Sequence, residues 1–253
     1  MLTEKELKEY CDNARKNYLA HISIDCVVFG FHEGLLKVLL LEVKDEGECY
    51  LPGGFLLKKE PIEMAANRIL KERTGLDEIF LQQFHVFGDP DRSKQHFDMY
   101  KDMIAPEENW FTNRFLTIGY YALVDFCETN PAPDQFSAKC SWRDLNDLPA
   151  LKLDHALILK TALDALRLQL NYQPIGYNLM PKEFTMPELQ KLYETILDKK
   201  LDRRNFQRRM LGFGILTRSD QPRKGGAHKA PYLYSFDLEN YEAALKEGFK
   251  GGW

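Results

Sequence analysis

No stretch of this 253-residue chain approaches the ~20 consecutive apolar residues that a membrane-spanning helix needs. Its opening, Met1-Leu-Thr-Glu-Lys-Glu-Leu-Lys-Glu9, lacks the hydrophobic core of a secretory signal. Cysteine is scarce, five residues with no C-x-x-C pair, which argues against a disulfide framework and a zinc knuckle. The expectation is a reducing, cytoplasmic compartment, with no metal and no cofactor. A large excess of one charge is also missing, the formal net charge being -4 at pH 7. That figure averages two unlike segments. Lys182 to Lys229 holds 12 Lys/Arg against 6 Asp/Glu (net +6), whereas Met1 to Gln173 holds 20 against 28 (net -8). A basic segment behind an acidic body points to a polyanion-binding module attached to a part that does not bind polyanions.

The apolar fraction of 44% and the charged fraction of 28% are those of a globular protein, and the length allows one large domain or two ordinary ones. Ile22 to Phe31 and Leu35 to Val43 are apolar, β-branched runs joined by His32-Glu33-Gly34, a hairpin signal. Tyr50 to Gly54 reads as a turn, and Leu116 to Phe126 as a further strand of the same sheet. Between them Asp89 to Asn113 is polar and aromatic without period, longer than a connection inside a compact domain should be. Trp110 and Phe111 in it either anchor the loop or cover a ligand, and Asp89, Asp91 and Arg92 are its candidate effector contacts. Leu159, Leu163, Leu166 and Leu170 recur at helical spacing, so an amphipathic helix over 155–170 closes the first domain. Asp154 at its start reads as a helix cap or, with His155, as an acid/base pair.

Residues 54–76 carry the sharpest signal. Gly54, Glu60, Arg68, Leu70, Gly75 and Leu76 stand at the landmarks of the pattern G-x5-E-x7-R-E-U-x-E-E-x-G-U, with U aliphatic. Of the three glutamates in its core only the middle one is present, as Glu72; Ile69 and Arg73 take the other two places. The stretch resembles a degenerate Nudix box. The resemblance implies chemistry in which clustered carboxylates hold Mg²⁺ against a diphosphate, and Mg²⁺ wants hard oxygen ligands. Here the three positions sum to zero charge, and at ~4 Å and an effective dielectric of ~20 each unit-charge contact is worth on the order of 4 kcal/mol before screening. Ile62, Ala65, Ala66, Ile69 and Leu70 also form the apolar stripe of a packed helix after Pro61, so Ile69 reads equally as core. Arg68 and Glu72 are i, i+4 neighbours and an expected salt bridge.

After Pro174-Ile-Gly-Tyr-Asn-Leu-Met-Pro181, a linker, the composition turns basic. Thr185-x-x-Glu188 is a capping box opening a helix with Leu189, Leu192, Tyr193 and Ile196 on its apolar face. Asp202 caps a second helix, Arg203 to Met210, giving a helix-turn-helix candidate. Its Phe206 and Met210 point one way and Arg204, Asn205 and Arg208 the other; Arg203 and Arg209 add to the charge. Arginines in a first helical turn oppose the helix dipole, a local cost with no folding benefit that favours an external anion. Residues 215–218 and 232–236 read as strands flanking a loop with Arg223, Lys224, His228 and Lys229, the basic wing that a winged helix lays on phosphates.

Together these features resemble the bacterial Nudix-related transcriptional regulators, the group that includes regulators of arabinose use and of NAD biosynthesis. The Pro174 to Phe184 and Asp202 to Phe206 segments are most similar to the arabinose-regulator branch. The resemblance implies an α+β fold: a Nudix-like α/β/α sandwich with a mixed sheet over 1–173, then a C-terminal winged helix-turn-helix over 174–253. It also implies a homodimeric repressor without catalytic residues that binds double-stranded operator DNA and a small effector, namely a sugar, a sugar phosphate or an ADP-ribose-type nucleotide. A working Nudix hydrolase of a nucleoside diphosphate compound with a nucleic-acid-binding appendix is the alternative. An adaptor that turns its basic module on an acidic protein is a third reading.

Overall fold

The computed structural model describes residues 3–43, 49–77, 79, 81–92, 103–126, 132, 137–170, 172–222 and 231–247. By packing, the chain divides into two compact units. One comprises Met1–Val28, Val38–Ala122 and Asn130–Ala162; the other comprises Phe29–Lys37, Leu123–Thr129 and Leu163–Trp253. The boundaries therefore fall after Val28, Lys37, Ala122, Thr129 and Ala162, and none falls at the linker after Tyr172.

The first unit opens on a helix that the sequence reading passes over, α1 (Glu4–Asn17). Thr3 and Glu6 form its capping box, and Leu7, Cys11 and Ala14 are its buried face. There follow β1 (Tyr18–His32), β2 (Leu35–Val43), β3 (Cys49–Tyr50), β4 (Gly53–Leu57), α2 (Ile62–Thr74), β5 (Leu81–Phe87), β6 (Leu116–Val124), β7 (Ser137–Asp144) and α3 (His155–Gln169). The strands form a seven-stranded sheet of order β3-β2-β1-β6-β5, with β4 paired to β1 and β7 to β2. β4 runs antiparallel to β1 with Asp25 opposite Gly53 and Ile24 opposite Gly54. Helix α2 stops where Gly75 turns left-handed (φ 73°), a conformation that glycine adopts at no steric cost. Central strands are apolar on both faces: Ile24 and Cys26 to Phe29 of β1, and Val38 to Leu41 of β2, are all fully buried. That pattern marks a sheet covered on two sides.

The strands expected at 22–31, 35–43 and 116–126 and the helices after Pro61 and at 155–170 are present to within a few residues at each end. β5 and β7 were not legible. β5 reads Leu81-Gln-Gln-Phe-His-Val-Phe87, with burial that does not alternate and a register shift against β6 between Gln83 and His85.

In the second unit β8 (Phe184–Thr185), α4 (Met186–Leu197), α5 (Arg203–Gly212), β9 (Leu216–Pro222), β10 (Tyr232–Phe236) and α6 (Leu238–Glu247) follow in order. The three strands pair as β8-β10-β9. Leu189, Leu192, Tyr193 and Ile196 of α4 and Phe206 and Met210 of α5 make the core, with the Tyr193 and Phe206 rings edge-on at 5.4 Å. Phe236 meets Phe184 at 5.0 Å and Tyr241 of α6 at 5.2 Å, joining sheet and last helix. This is a helix-turn-helix with a two-stranded wing. The tip loop with Arg223, Lys224, His228 and Lys229 lies outside the described residues.

Candidate functional site

The box residues assemble around Arg68. Its guanidinium takes both oxygens of Glu60, Nε to Oε1 at 2.8 Å and Nη2 to Oε2 at 2.8 Å. It also donates to Glu72 Oε2 at 2.9 Å and to the carbonyl oxygen of Phe55 at 2.9 Å. The expected Arg68–Glu72 pair exists, but the dominant partner is Glu60, whose carboxyl the guanidinium holds below the ordinary glutamate range. Arg68 therefore ties β4, the turn after it and α2 together. Gly54 and Ile69 form the second joint. Ile69 is buried in the core, and a Cβ on Gly54 would come within 3.0 Å of its Cγ1. Ile69 is thus packing, with no donor for a metal. Arg73, at the third position of the motif, is a cation whose field offsets only a small part of the rise that burial imposes on the Asp25 carboxyl. Only Glu72 keeps a carboxylate, and that carboxylate is engaged by Arg68. The donor set does not fit the Mg²⁺ that the fold family implies, and among the described residues no group of three or more His, Cys, Asp or Glu stands ready to hold a metal.

A second cluster lies on the same unit. Asp25 and Asp154 flank Arg92, whose Nε and Nη2 donate to Asp154 Oδ2 at 2.8 Å and Oδ1 at 2.9 Å. Arg92 Nη2 also stands 3.7 Å from Asp25 Oδ2, and the Arg92 side chain is only 6% exposed. Of the three loop residues proposed from sequence, Arg92 is therefore brought to a built site, by a turn in which Asp89 Oδ1 accepts the Asp91 N–H at 2.7 Å. Asp89 and Asp91 are exposed and belong to the turn, not the cluster. Asp154, read as a cap or as half of an acid/base pair, places both carboxylate oxygens on Arg92. His155 Nδ1 accepts the Leu51 N–H at 2.9 Å, so the neutral ring carries its proton on Nε2, which faces Asp25 Oδ1 at 3.8 Å.

Burial dominates both titrations. It pushes Asp25 up to about 7 against the opposing pull of Arg92, and pushes His155 down to about 4. At neutral pH His155 is neutral, and Asp25 is poised between its two forms. Asp25 also sets its surroundings: a Cβ on Gly53 would run into Asp25 Oδ1 and crowd the Ile24 carbonyl oxygen, which favours glycine before Gly54. Asp25 was missed from sequence. The available signal was a lone carboxylate inside the run Ile22-Ser-Ile-Asp-Cys-Val-Val, where a solvated charge has no place.

Trp110 and Phe111 resolve as anchors. Trp110 is buried among Leu7, Cys11, Ala14, Ile104 and Phe115, with Phe55 edge-on at 4.6 Å. The Trp110 N–H reaches Cys11 Sγ at 3.4 Å, and Phe111 stacks on Tyr10 at 5.4 Å. The described end of the long insert is thus the seat of α1.

On α5, Asp202 accepts the Asn205 N–H at 2.9 Å, the cap read from sequence. Phe206 and Met210 are buried, and Arg203, Arg204, Asn205 and Arg208 are exposed, as the helical wheel requires. Arg208 Nη2 donates to Asn205 Oδ1 at 3.1 Å. Arg209 departs from the outer face and lies 5.9 Å from the Phe213 ring centroid. On the wing, the Arg218 guanidinium lies 4.6 Å from the centroid of Tyr232, a placed cation that sequence reading left unnamed.

Comparison with known proteins locates these features in two recognised domains. Residues 19–165 match the NUDIX domain model, and residues 176–236 match the NrtR DNA-binding winged helix domain. The ADPR responsive transcriptional repressor NtrR of Acinetobacter baylyi is 31% identical over 230 residues, covering 87% of this chain and 84% of that protein. An ADP-ribose pyrophosphatase of Methanocaldococcus jannaschii is 29% identical over 148 residues, 57% of this chain and 76% of the enzyme. Among solved structures, Shewanella oneidensis NrtR complexed with a 27mer DNA superposes with a TM-score of 0.69 at 22% identity, over 92% of this chain and 99% of that one. At that identity the likeness speaks for the fold.

Proposed function

We propose that this chain, which belongs to the Nudix-related transcriptional regulators, is a repressor whose Nudix-like part binds a small metabolite without hydrolysing it and whose winged helix holds an operator. Residues 1–173 form the sensing part and 174–253 the DNA-binding part. The observation that carries the DNA reading is α5, with Phe206 and Met210 buried while Arg204, Asn205 and Arg208 stand in solvent. Arg203, Arg223, Lys224, His228 and Lys229 supply phosphate contacts that are blind to sequence. One such helix reads only a few base pairs, so specificity calls for a homodimer on an inverted repeat.

For the effector, an ADP-ribose-type nucleotide is favoured by the similarity to the ADP-ribose-responsive repressor of A. baylyi. Arg92, held on Asp154 beside Asp25, is the cation this reading assigns to it, and Asp89 and Asp91 shape the turn that brings Arg92 there. Hydrolysis is the competing reading, supported by the similarity to an ADP-ribose pyrophosphatase. Ile69 packed on Gly54 and the cation at Arg73 oppose it, because two of three metal-ligand positions are gone.

A thermal-shift series tests the sensor directly, since a ligand at ~100 times its Kd adds ~2.7 kcal/mol to stability. ADP-ribose is expected to raise Tm with and without Mg²⁺ and to be recovered intact. Stabilisation by arabinose or a sugar phosphate instead would replace the nucleotide reading, and turnover of ADP-ribose at ~1 s⁻¹ or faster would restore the hydrolase.

A further inference from the structure

The turn between β1 and β2 is built into the winged-helix unit. Glu33 and Gly34 both take positive φ, 51° and 77°. The Gly34 carbonyl oxygen accepts a hydrogen bond from Thr195 Oγ1 of α4 at 3.0 Å. Lys191, one helical turn earlier, lies so close that a Cβ on Gly34 would come within 2.8 Å of its Cε. Near the C-terminal end of the same helix, the Ile196 carbonyl oxygen accepts from Arg167 Nε of α3 at 2.7 Å. Helix α4, the first of the helix-turn-helix, is therefore gripped by the hairpin at Gly34 and by α3 at Arg167. It meets α5 through Tyr193 and Phe206. The strand leading into that hairpin is β1, which carries Asp25, nine residues before Gly34 (34 - 25). The seven residues of strand from Asp25 to His32 (32 - 25) span about 23 Å.

We infer that β1 and its hairpin are the element through which occupancy of the Nudix-like part biases the recognition helix, with Thr195 as the positioning residue that holds the hairpin to α4. This deepens the sensor reading above and rests on it for the identity of the ligand. A strand paired on both sides, here by β2 and β6, is stiff along its axis. Displacement where Asp25 sits is then delivered at Gly34, where a single hydrogen bond is either kept or broken. Packed contacts respond in such discrete steps and not by smooth deformation. Coupling by this route requires the Gly34–Thr195 contact to have two arrangements that both sites bias.

The test uses the full chain and two variants, Thr195→Val, which removes the hydroxyl at constant shape, and Gly34→Ala, which drives a methyl into Lys191. The readouts are amide hydrogen exchange of the hairpin, residues 32–36, with and without a duplex from the protein's own promoter region, and the Kd for that duplex with and without ADP-ribose. In the wild type the duplex is expected to slow hairpin exchange. In both variants the slowing is expected to fall at least about three-fold and the ADP-ribose effect to shrink toward unity, while the ligand-free duplex Kd stays within about two-fold, as befits a residue that alters coupling and not contact. Hairpin exchange indifferent to the duplex in the wild type, or undiminished slowing in the variants, overturns the inference even if ADP-ribose changes DNA affinity. Hairpin slowing that needs Thr195, with no ADP-ribose effect on any readout, upholds the mechanical link and removes the sensor reading for that ligand.

Discussion

Two buried residues, Ile69 and Asp25, set the chemistry of the Nudix-like part. Ile69 sits against Gly54 in the core. Restoring the motif with Ile69→Glu would therefore bury a carboxylate without a partner, at a cost on the order of 3 kcal/mol or more. The expected result is a lower Tm and no gain in hydrolysis. A stable Ile69→Glu protein with Mg²⁺-dependent turnover would show that the packing account of this position is mistaken. Asp25 is the second of these residues. Its folded pKa, raised to about 7 by burial beside Arg92, Asp154, Arg73 and His155, lies above that of the unfolded chain. The stability it contributes is thus fully present below pH ~4 and is lost as pH rises through about 7. His155, lowered to about 4, runs the other way: its contribution is present above pH ~6.5 and is lost as pH falls through about 4. Asp25→Asn removes only the first dependence. Its Tm relative to wild type should be more favourable at pH 8 than at pH 5, and a difference independent of pH would refute the placement of Asp25 as a buried, poised acid.

At the scale of elements, most of what the sequence shows comes from patterns that have local causes. Helices α2, α4 and α5 announce themselves through Pro61 and Gly75, the Thr185/Glu188 box and the Asp202 cap. β1 and β2 do so through β-branched runs around a Gly turn. What stayed hidden depends on partners distant in sequence. β5 is specified by its pairing with β6 and does not alternate, and α1 by the Trp110 pocket, 96 residues beyond its Ala14 (110 - 14). The candidate site shows the same divide. Glu60, Arg68 and Glu72 are spaced within one motif and were legible, whereas Asp25, Arg92 and Asp154 come from β1, a loop and the start of α3, and only folding joins them.

The helix that carries the DNA reading yields its own test. Asp202→Ala should cost about 1 kcal/mol through the lost cap, seen as a lower Tm. Arg204→Ala and Arg208→Ala should leave Tm nearly unchanged and lower affinity for the operator more than for random duplex, since a bidentate arginine to guanine carries ~1 to 3 kcal/mol of discrimination. Lys224→Ala on the wing should weaken all sequences alike and reduce the slope of log K against log salt by about one. Arg218→Ala belongs with Lys224 if its seat on Tyr232 serves the backbone. Equal losses on operator and random DNA for Arg204 and Arg208 would reassign α5 to nonspecific contact.

For the whole molecule the claim is that one chain joins a metabolite-binding Nudix-like part to a winged helix and that the two communicate. The acidic body and the basic C-terminal segment concentrate positive charge on the winged-helix part of the chain, which favours defined docking over coating. Communication is a reciprocal free energy, so a ligand that changes DNA affinity by some factor must have its own affinity changed by operator DNA by the same factor. The measurement that bears on this most directly is fluorescence anisotropy of a duplex from the protein's own promoter region against a scrambled duplex, each titrated with and without ADP-ribose, paired with ADP-ribose titrations with and without operator. The account expects tighter binding to the promoter duplex, a shift of that Kd by ADP-ribose on the order of 5- to 150-fold, and the same factor in the reverse titration. Equal affinity for the two duplexes, or a single ADP-ribose Kd whether or not operator is bound, would contradict it.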